Sequence, residues 1–327
     1  MQNSQRKAPT RLYWLHALTP LHVGTGVGVG FIDLPIQREK ATGWPVVPGS
    51  AVKGVLADYF GASSDVRKRD DLQGRLLRAA FGVAYSELET GTNSGSLVFT
   101  DARLVCLPVR SVYGTFAWVS CPLALARLNR DSQIADTTFA APPQPSAGQA
   151  TVPAGVTSAL IAPVAQQASG PQTQKSPAGQ VREVLFLEDL DLQAVPSDEA
   201  RAWAEKLAAL VFPEQADWQR LFQERFVVVS DDTFNYFCET ATEISARVRI
   251  SDEQKTVARG ALWYEEYLPA ESVLCGLVWC DRVYGDVGLS SQDLLMKFCA
   301  DPLLLQIGGK ATVGKGRVRC VFGGNHA

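Results

Sequence analysis

The sequence predicts an α+β fold in which strands paired as hairpins are mixed with strand–helix units. Two patterns lead to this class: apolar runs of strand length bounded by short turns, and amphipathic segments with apolar residues every three or four positions. This mixture favours an α+β sandwich over a doubly wound parallel sheet. A low-complexity stretch interrupts the pattern without ending it, so we expect a single decorated domain over residues 1–327.

The first part of the chain predicts one strand, one long loop and two helices. Residues 11–18 are mostly apolar with aromatic side chains, as in a buried strand, and the Gly- and Pro-rich residues 19–49 predict a functional loop. An amphipathic helix with Ser50 as its N-cap is expected next, because its apolar side chains follow the i, i+3, i+4 spacing. Residues 68–82 predict a second helix that ends at Gly82.

The rest of the chain predicts further strands and helices around one insertion. Residues 137–174 carry no charge and contain six prolines, which predicts a mobile surface insertion over about 137–180. The other expected elements are strands over 96–110 and 114–123, a helix over 197–212, a strand over 225–232, a long hairpin over 241–269, a strand over 275–285, a helix over 290–309 and a strand over 317–322.

Composition and charge exclude several functional classes. The chain is 46% hydrophobic and 20% charged, which is enough apolar surface for a packed core. No stretch of roughly 18 apolar residues and no apolar signal segment is visible, so we expect a cytoplasmic protein with no membrane partner. Seven cysteines without CxxC spacing and three histidines predict buried, reduced thiols and no zinc cluster. The net charge of −3 means that any nucleic-acid site must be a local basic groove.

The glycine-rich segment 308–317 is a candidate nucleic-acid site. It nearly matches a phosphate-binding loop, but Gly316 stands where a magnesium-binding Ser or Thr is required, and a strand pattern follows where a helix should begin. A nucleoside triphosphatase is therefore not expected. Between Leu305 and Cys320 there are four cations and no acidic residue, which suits an RNA backbone, although a solvated glycine turn is the plainer alternative.

Three residues near the N-terminal loop are candidates of lower specificity. Lys53 lies one turn into the predicted helix, where free backbone N–H groups and a cation form a recognised anion site, or where a lysine is merely solvated. Asp33 follows a GTGVGVG segment that does not fit the dinucleotide fingerprint, and most loop aspartates only stabilise turns. His22 is a possible companion, although a lone histidine is more often structural.

Several long motifs together resemble a known family. They are LTPLHVGTGVGVGFIDLPIQREKATGWPVVPGSAVKGVL, SLVFTDARLVCLPVRSVYGTFAWVSCPL, ATEISARVRI, GALWYEEYLP and LQIGGKATVGKGRVR. These segments resemble the RAMP superfamily and, more narrowly, the backbone subunit of the type III-B (Cmr) CRISPR effector complex. The resemblance covers nearly the whole chain outside 137–180.

The resemblance implies an RRM-like (ferredoxin-like) palm with a thumb hairpin within residues 239–267. It also implies that copies of the chain stack along one CRISPR RNA beside other Cmr-complex subunits. Target single-stranded RNA would pair with that guide, and each thumb would wedge between bases at regular intervals. In this arrangement base pairing supplies specificity, while the protein contacts mostly the backbone.

The resemblance also assigns site residues. Asp33 is the implied catalytic residue and a candidate ligand of a divalent metal, which the family pattern indicates to be magnesium. Because the 2′-OH of the target is the nucleophile in this family, protein and metal need only position it and stabilise charge. The RNA-binding residues expected are Arg38, Ser50, Lys53, Arg247, Arg249, Lys310, Lys315 and Arg317.

Three functions stay open on the sequence. The leading interpretation is a guide-binding subunit that cleaves complementary target RNA at regular intervals through Asp33. The alternative is a catalytically inert scaffold that binds guide RNA and neighbouring subunits. A weaker third interpretation is a CRISPR RNA processing nuclease, which would need a general base such as His22.

Overall fold

Two units make up the part of the chain that the structure describes. The structure is a computed structural model that describes residues 7–26, 28, 32–83, 93–165, 181–250 and 257–323. The first unit comprises Met1–Leu104, Arg130–Thr138 and Glu243–Ala327, and the second comprises Val105–Asn129 and Phe139–Thr242. Both mix strands and helices, which confirms the α+β class, and the single decorated domain stays a prediction.

The secondary structure consists of short and long strands with helices between them. The strands are β1 (Thr10–Ala17), β2 (Val46–Val47), β3 (Gly82–Val83), β4 (Asn93–Ser94), β5 (Val98–Phe99), β6 (Ala102–Arg110), β7 (Phe116–Ser120), β8 (Gln149–Pro153), β9 (Ile161–Ala165), β10 (Val181–Leu187), β11 (Leu190–Ser197), β12 (Phe226–Val229), β13 (Glu243–Ile250), β14 (Val257–Tyr267), β15 (Val273–Trp279), β16 (Leu303–Gln306) and β17 (Arg317–Gly323). The helices are α1 (Gly49–Tyr59), α2 (Ser64–Lys68), α3 (Leu72–Phe81), α4 (Pro122–Ile134), α5 (Asp198–Val211), α6 (Ala216–Arg225), α7 (Asp231–Thr240) and α8 (Ser291–Phe298).

The first unit is built on an antiparallel sheet with the order β16-β17-β1-β15-β5. The predicted N-terminal strand lies at its centre as β1, where Tyr13, Trp14 and Leu15 are fully buried. Burial on both faces follows from the nearly continuous apolar run in this strand. The predicted C-terminal strand is β17, which pairs along β1.

The first helix begins two residues earlier than the sequence predicted. Pro48, and not Ser50, is the N-cap of α1, and Ser50 is an exposed residue of its first turn. The backbone N–H of Gly49 donates to Asp101 Oδ1 at 2.8 Å, which supplies the missing side-chain cap. A Cβ atom at Gly49 would lie 2.4 Å from the carbonyl oxygen of Phe99, so only glycine allows the helix to start here.

Two further helix predictions need correction. The helix expected over 68–82 begins only at Leu72, as α3, because Asp71 caps it by accepting from Gly74 N at 2.7 Å, and Lys68 is instead the last residue of the separate helix α2. Gly82, with φ of 82°, ends α3 as predicted. The helix expected over 290–309 ends at Phe298. Beyond it, Pro302 cannot continue the helix, and the apolar residues that follow pair with β17 as strand β16.

The second unit contains the part of the predicted insertion that the structure describes. Strands β8 and β9 lie within 137–180, and Ala150, Val152 and Leu160 are buried, so the low-complexity composition does not prevent this part from packing. Its apolar side chains are spaced as in strands, and β8 pairs with β11 and β12. Residues 166–180 lie outside the described residues.

A two-stranded hairpin occupies the region expected to form the thumb. Strands β13 and β14 pair antiparallel, with Val248 opposite Leu262 and Ala246 opposite Tyr264. The turn that we predicted at 251–256 lies outside the described residues. One face of the hairpin is apolar and exposed: Val248 is 47% and Leu262 is 55% accessible.

All seven cysteines are free and buried, as predicted. Burial in apolar surroundings raises the pKa of Cys106, Cys275 and Cys320 well above the ordinary thiol value. These thiols are therefore inert packing groups. No helix in the described part of the chain is long and apolar enough to cross a membrane.

Candidate nucleic-acid interface

Asp33 is an exposed residue held by its carboxylate against the base of the hairpin. Its Oδ2 accepts a hydrogen bond of 2.7 Å from the backbone N–H of Tyr264 in β14. The next residue joins the same strand, since Leu34 N donates to Tyr264 O at 3.1 Å and Glu266 N donates to Leu34 O at 3.0 Å. The loop therefore lies parallel to β14, with one Asp33 oxygen anchored and the side chain open to solvent.

Glu266 secures the next residues of the same loop. It is 3% exposed, and its Oε2 accepts the Ile36 N–H at 3.1 Å. Its Oε1 lies 2.5 Å from Nη2 of Arg38, whose Nη1 also donates to Gly43 O at 2.8 Å. The structure thus places Arg38, a predicted RNA-binding residue, in a largely buried ion pair.

Glu265 secures a different loop. This residue is 2% exposed and accepts from Lys310 Nζ at 2.5 Å, from Trp263 Nε1 at 2.6 Å and from the Tyr267 hydroxyl, with Arg247 Nε at 3.3 Å. Burial acts to raise the pKa of Glu265, but the bonds from Lys310, Tyr267 and Trp263 outweigh it and hold the pKa at about 2. Lys310 and Arg247, both expected to bind RNA, are therefore partly neutralised by this carboxylate.

The glycine-rich loop packs closely on residues 20–22. Gly309 N donates to His22 O at 2.9 Å, and Gly316 N donates to Pro20 O at 2.9 Å. Gly308 has φ of 79°, and a Cβ atom there would lie 2.2 Å from His22 O. The glycines of this loop thus serve close packing as well as any backbone approach by RNA.

His22 is a buried structural residue. It is 6% exposed, and its Nδ1 lies 2.8 Å from the carbonyl oxygen of Glu266, which fixes the proton on Nδ1. Its ring packs 5.5 Å from the ring of Tyr267. A general base would have to reach the RNA, so this placement gives no support to the processing-nuclease interpretation.

The remaining predicted cations differ in exposure. Arg249 and Arg317 are exposed. Lys315 lies 4.7 Å from the Tyr267 ring centroid and 3.9 Å from Glu243 Oε2. Burial lowers the pKa of Lys53, whose Nζ would be 2.7 Å from a Cβ placed on Gly95, and no carboxylate of the described residues pairs with it. Lys53 is thus a half-buried cation whose ammonium group lies beside Gly95.

Sequence reasoning missed the two adjacent glutamates of β14. Glu265 and Glu266 stand in the segment WYEEYL, where two carboxylates interrupt an apolar strand pattern that ends in the core. Buried acidic residues are rare unless they are paired. That interruption was the signal available in the sequence.

The residues around Asp33 offer few ligands to a metal ion. No cluster of three or more His, Cys, Asp or Glu side chains occurs in the described ranges. Magnesium in proteins is often held by one or two carboxylates together with substrate phosphates. The donor set at Asp33 therefore fits only an ion that RNA would help to bind.

The fold and these loops match one superfamily. The RAMP superfamily model matches residues 14–319, so the chain belongs to the RAMP superfamily. Within it, the chain is 32% identical over 326 residues to the CRISPR system Cmr endoribonuclease Cmr4 of Pyrococcus furiosus, covering 97% of this chain and 98% of the relative. This confirms the family resemblance found in the sequence.

Solved structures share the fold. Oligomeric Cmr4 from Pyrococcus furiosus superposes with a TM-score of 0.66 at 24% identity, covering 97% of this chain and 99% of that one. A chain of the type III-B Cmr-beta complex bound to cognate target RNA gives a TM-score of 0.65 at 18% identity, covering 96% of each. At these identities the likeness establishes the fold.

Proposed function

We propose that this chain is a CRISPR RNA-binding backbone subunit of a type III-B effector complex that cleaves complementary single-stranded RNA through Asp33. The observation that carries the proposal is the open Asp33 carboxylate, anchored on one oxygen by Tyr264 N at the base of the hairpin. Full-length similarity to a relative named an endoribonuclease supports it. A cytoplasmic location belongs to the proposal, since seven free thiols fit a reducing compartment.

The architecture supports the palm and thumb assigned by the resemblance. The antiparallel order β17-β1-β15-β5 is compatible with an RRM-like palm, and β13 with β14 forms a projecting hairpin. We propose that the exposed apolar face of this hairpin stacks on or separates bases. The proposed partners are CRISPR RNA, target RNA, further copies of the chain and other Cmr-complex subunits.

Positive charge for the guide would come unequally from the predicted residues. Lys53 lacks a carboxylate partner in the described part, and Arg249 and Arg317 are exposed, so these three cations contribute most. Arg38 and Lys310 contribute less because Glu266 and Glu265 offset their charge. Ser50, exposed in the first turn of α1, would offer its hydroxyl and backbone N–H to a phosphate beside Lys53.

The proposed chemistry is internal transesterification of the target RNA. The 2′-oxygen attacks the adjacent phosphorus, the bond to the 5′-oxygen breaks, and a cyclic phosphate and a 5′-hydroxyl result. Asp33 orients the 2′-OH by accepting its hydrogen bond. The 2′-OH proton passes to solvent as its oxygen bonds to phosphorus, and the departing 5′-oxygen takes a proton from solvent. A divalent ion, magnesium in the family pattern, would stabilise the charge that develops on the phosphate when the ion is bound with RNA at Asp33.

The test is cleavage of labelled complementary RNA by the complex purified through a tag on this chain. Asp33→Ala should reduce the single-turnover rate by about 10²-fold or more while target binding persists. Removing divalent ions with EDTA should reduce cleavage by the wild type, and added magnesium should restore it. Full cleavage by Asp33→Ala would contradict the catalytic role. Absence of cleavage by the wild type with magnesium would favour the inert scaffold.

A further inference from the structure

Residues 33–38 are hydrogen-bonded to two alternate residues of β14, Tyr264 and Glu266. Asp33 Oδ2 meets Tyr264 N, the backbones of Leu34 and Glu266 pair, and the Glu266 side chain meets Ile36 N. Four of these hydrogen bonds lie between 2.7 and 3.1 Å. Three side chains take part in this attachment: Asp33, Glu266 and Arg38, which pairs with Glu266.

We infer that Glu266 is a positioning residue that sets the place of Asp33 relative to the hairpin. This inference rests on the proposed catalytic role of Asp33. Glu266 does not face the open carboxylate of Asp33; it acts through Ile36 and Arg38, which follow in the same loop. The loop that carries Asp33 is therefore hydrogen-bonded to the strand that would separate target bases.

The burial of Glu266 makes the attachment of the Asp33 loop to β14 rigid. A carboxylate that is 3% exposed and receives both a backbone N–H and a guanidinium cannot exchange these partners for water. Removing it would take one acceptor from Ile36 N and one carboxylate from Arg38, so residues 36–38 would lose their side-chain attachment to β14. The loop would keep the bond between the Asp33 carboxylate and Tyr264 N, the Leu34 pairing and its backbone bonds to Val23 and Thr25, so Asp33 would be held less firmly against β14 while the fold persists.

Adjacent residues of a strand point to opposite faces, which separates this role from that of Glu265. Glu265 bonds Lys310 of the glycine-rich loop, whereas Glu266 bonds the Asp33 loop. A change at Glu266 should therefore act on cleavage without releasing the glycine-rich loop.

The experiment compares Glu266→Ala, Glu266→Gln, Asp33→Ala and the double variant in the purified complex, using labelled RNA complementary to its guide. Glu266→Ala should lower the single-turnover rate at saturating target by about 10- to 100-fold, with unchanged target affinity and unchanged cleavage positions. Glu266→Gln keeps an acceptor for Ile36 N and should recover part of the rate. Adding Glu266→Ala to Asp33→Ala should cause no further loss, because both changes act through one group.

Glu271→Gln is the matched control, since it breaks another partly buried carboxylate pair in the same unit, that with His16. The inference is overturned if Glu266→Ala cleaves at the wild-type rate while Asp33→Ala is inactive, a result that leaves the proposed function standing. Equal rate losses in Glu271→Gln, or weaker target binding by Glu266→Ala, would also overturn it. Full cleavage by Asp33→Ala would instead reject the proposed function and this inference with it. Should Glu266→Ala fail to assemble, the comparison of Glu266→Gln with Glu271→Gln decides in the same way.

Discussion

The ammonium group of Lys310 lies 2.5 Å from Glu265 Oε1, so the first cation of the glycine-rich loop is bound to the hairpin strand β14. Lys310 also adopts a left-handed backbone conformation, with φ of 68°. A residue that the motif marks as a phosphate contact thus has a second role. It joins two segments that are 45 residues apart in the chain.

Lys310→Met should destabilise the isolated chain by about 1–3 kcal/mol, because a buried carboxylate loses its strongest donor. The measurement is urea unfolding followed by tryptophan fluorescence. Arg317→Met, which removes an exposed cation of the same loop, should change stability by less than about 0.5 kcal/mol. Equal stability of the two variants would contradict a stabilising role for the Lys310–Glu265 ion pair.

Acid should weaken the fold through Glu265. Its pKa of about 2 in the folded chain lies below the value of 4.5 for a free glutamate, so its contribution to stability is present above about pH 5 and is lost as pH falls towards 2. Between pH 5 and pH 3 the wild type should therefore lose more stability than Glu265→Gln. Parallel losses in the two proteins would show that Glu265 is not the responsible group.

Alanine substitutions at two glycines of the glycine-rich loop should distinguish the cost of backbone strain from the cost of a steric clash. Both have left-handed φ angles, 79° at Gly308 and 75° at Gly314, but only Gly308 faces another backbone atom within contact distance. Gly314→Ala should cost about 1–2 kcal/mol, the penalty for a side chain in this conformation. Gly308→Ala should cost a further 1–3 kcal/mol or so, since its Cβ meets His22 O. Thermal unfolding of both variants would reveal the difference or its absence.

Lys53 should contribute to guide retention through charge. Lys53→Met removes the cation, and the methionine side chain suits a half-buried position. We expect the complex to lose guide RNA at a lower salt concentration than the wild type. The slope of the logarithm of the guide-binding constant against the logarithm of salt concentration should fall in magnitude by about 1. Lys297→Met, which removes an exposed lysine of α8, is the control and should leave the slope unchanged. RNA recovered across a salt series gives both values.

Local sequence determined the elements whose signals lie within a few residues. The apolar run at residues 11–18 produced β1, Gly82 ended α3, and the alternating arginines of RVRI marked the hairpin. The family motifs identified the superfamily for the same reason: they are contiguous. In these cases the side-chain pattern alone fixes which backbone conformation buries apolar surface.

Tertiary structure decided features that depend on distant partners. Residues 149–153 belong to a stretch with the composition of a surface insertion, yet as β8 they pair with β11 and β12 and are mostly buried. Ser50 has the chemistry of an N-cap, but Asp101 caps the helix instead because the chain brings its carboxylate to Gly49. Composition and capping preference are weak forces beside a sheet ladder or a packed backbone.

The candidate site shows the same division. The sequence supplied Asp33 and the cations around it, but it did not show that Glu265 and Glu266 hold the two loops on opposite faces of β14. A carboxylate holds two segments together firmly only when burial excludes water and a cation from a distant part of the chain takes the place of that water. That combination requires segments more than 200 residues apart, such as Arg38 and Glu266, to meet in the folded chain.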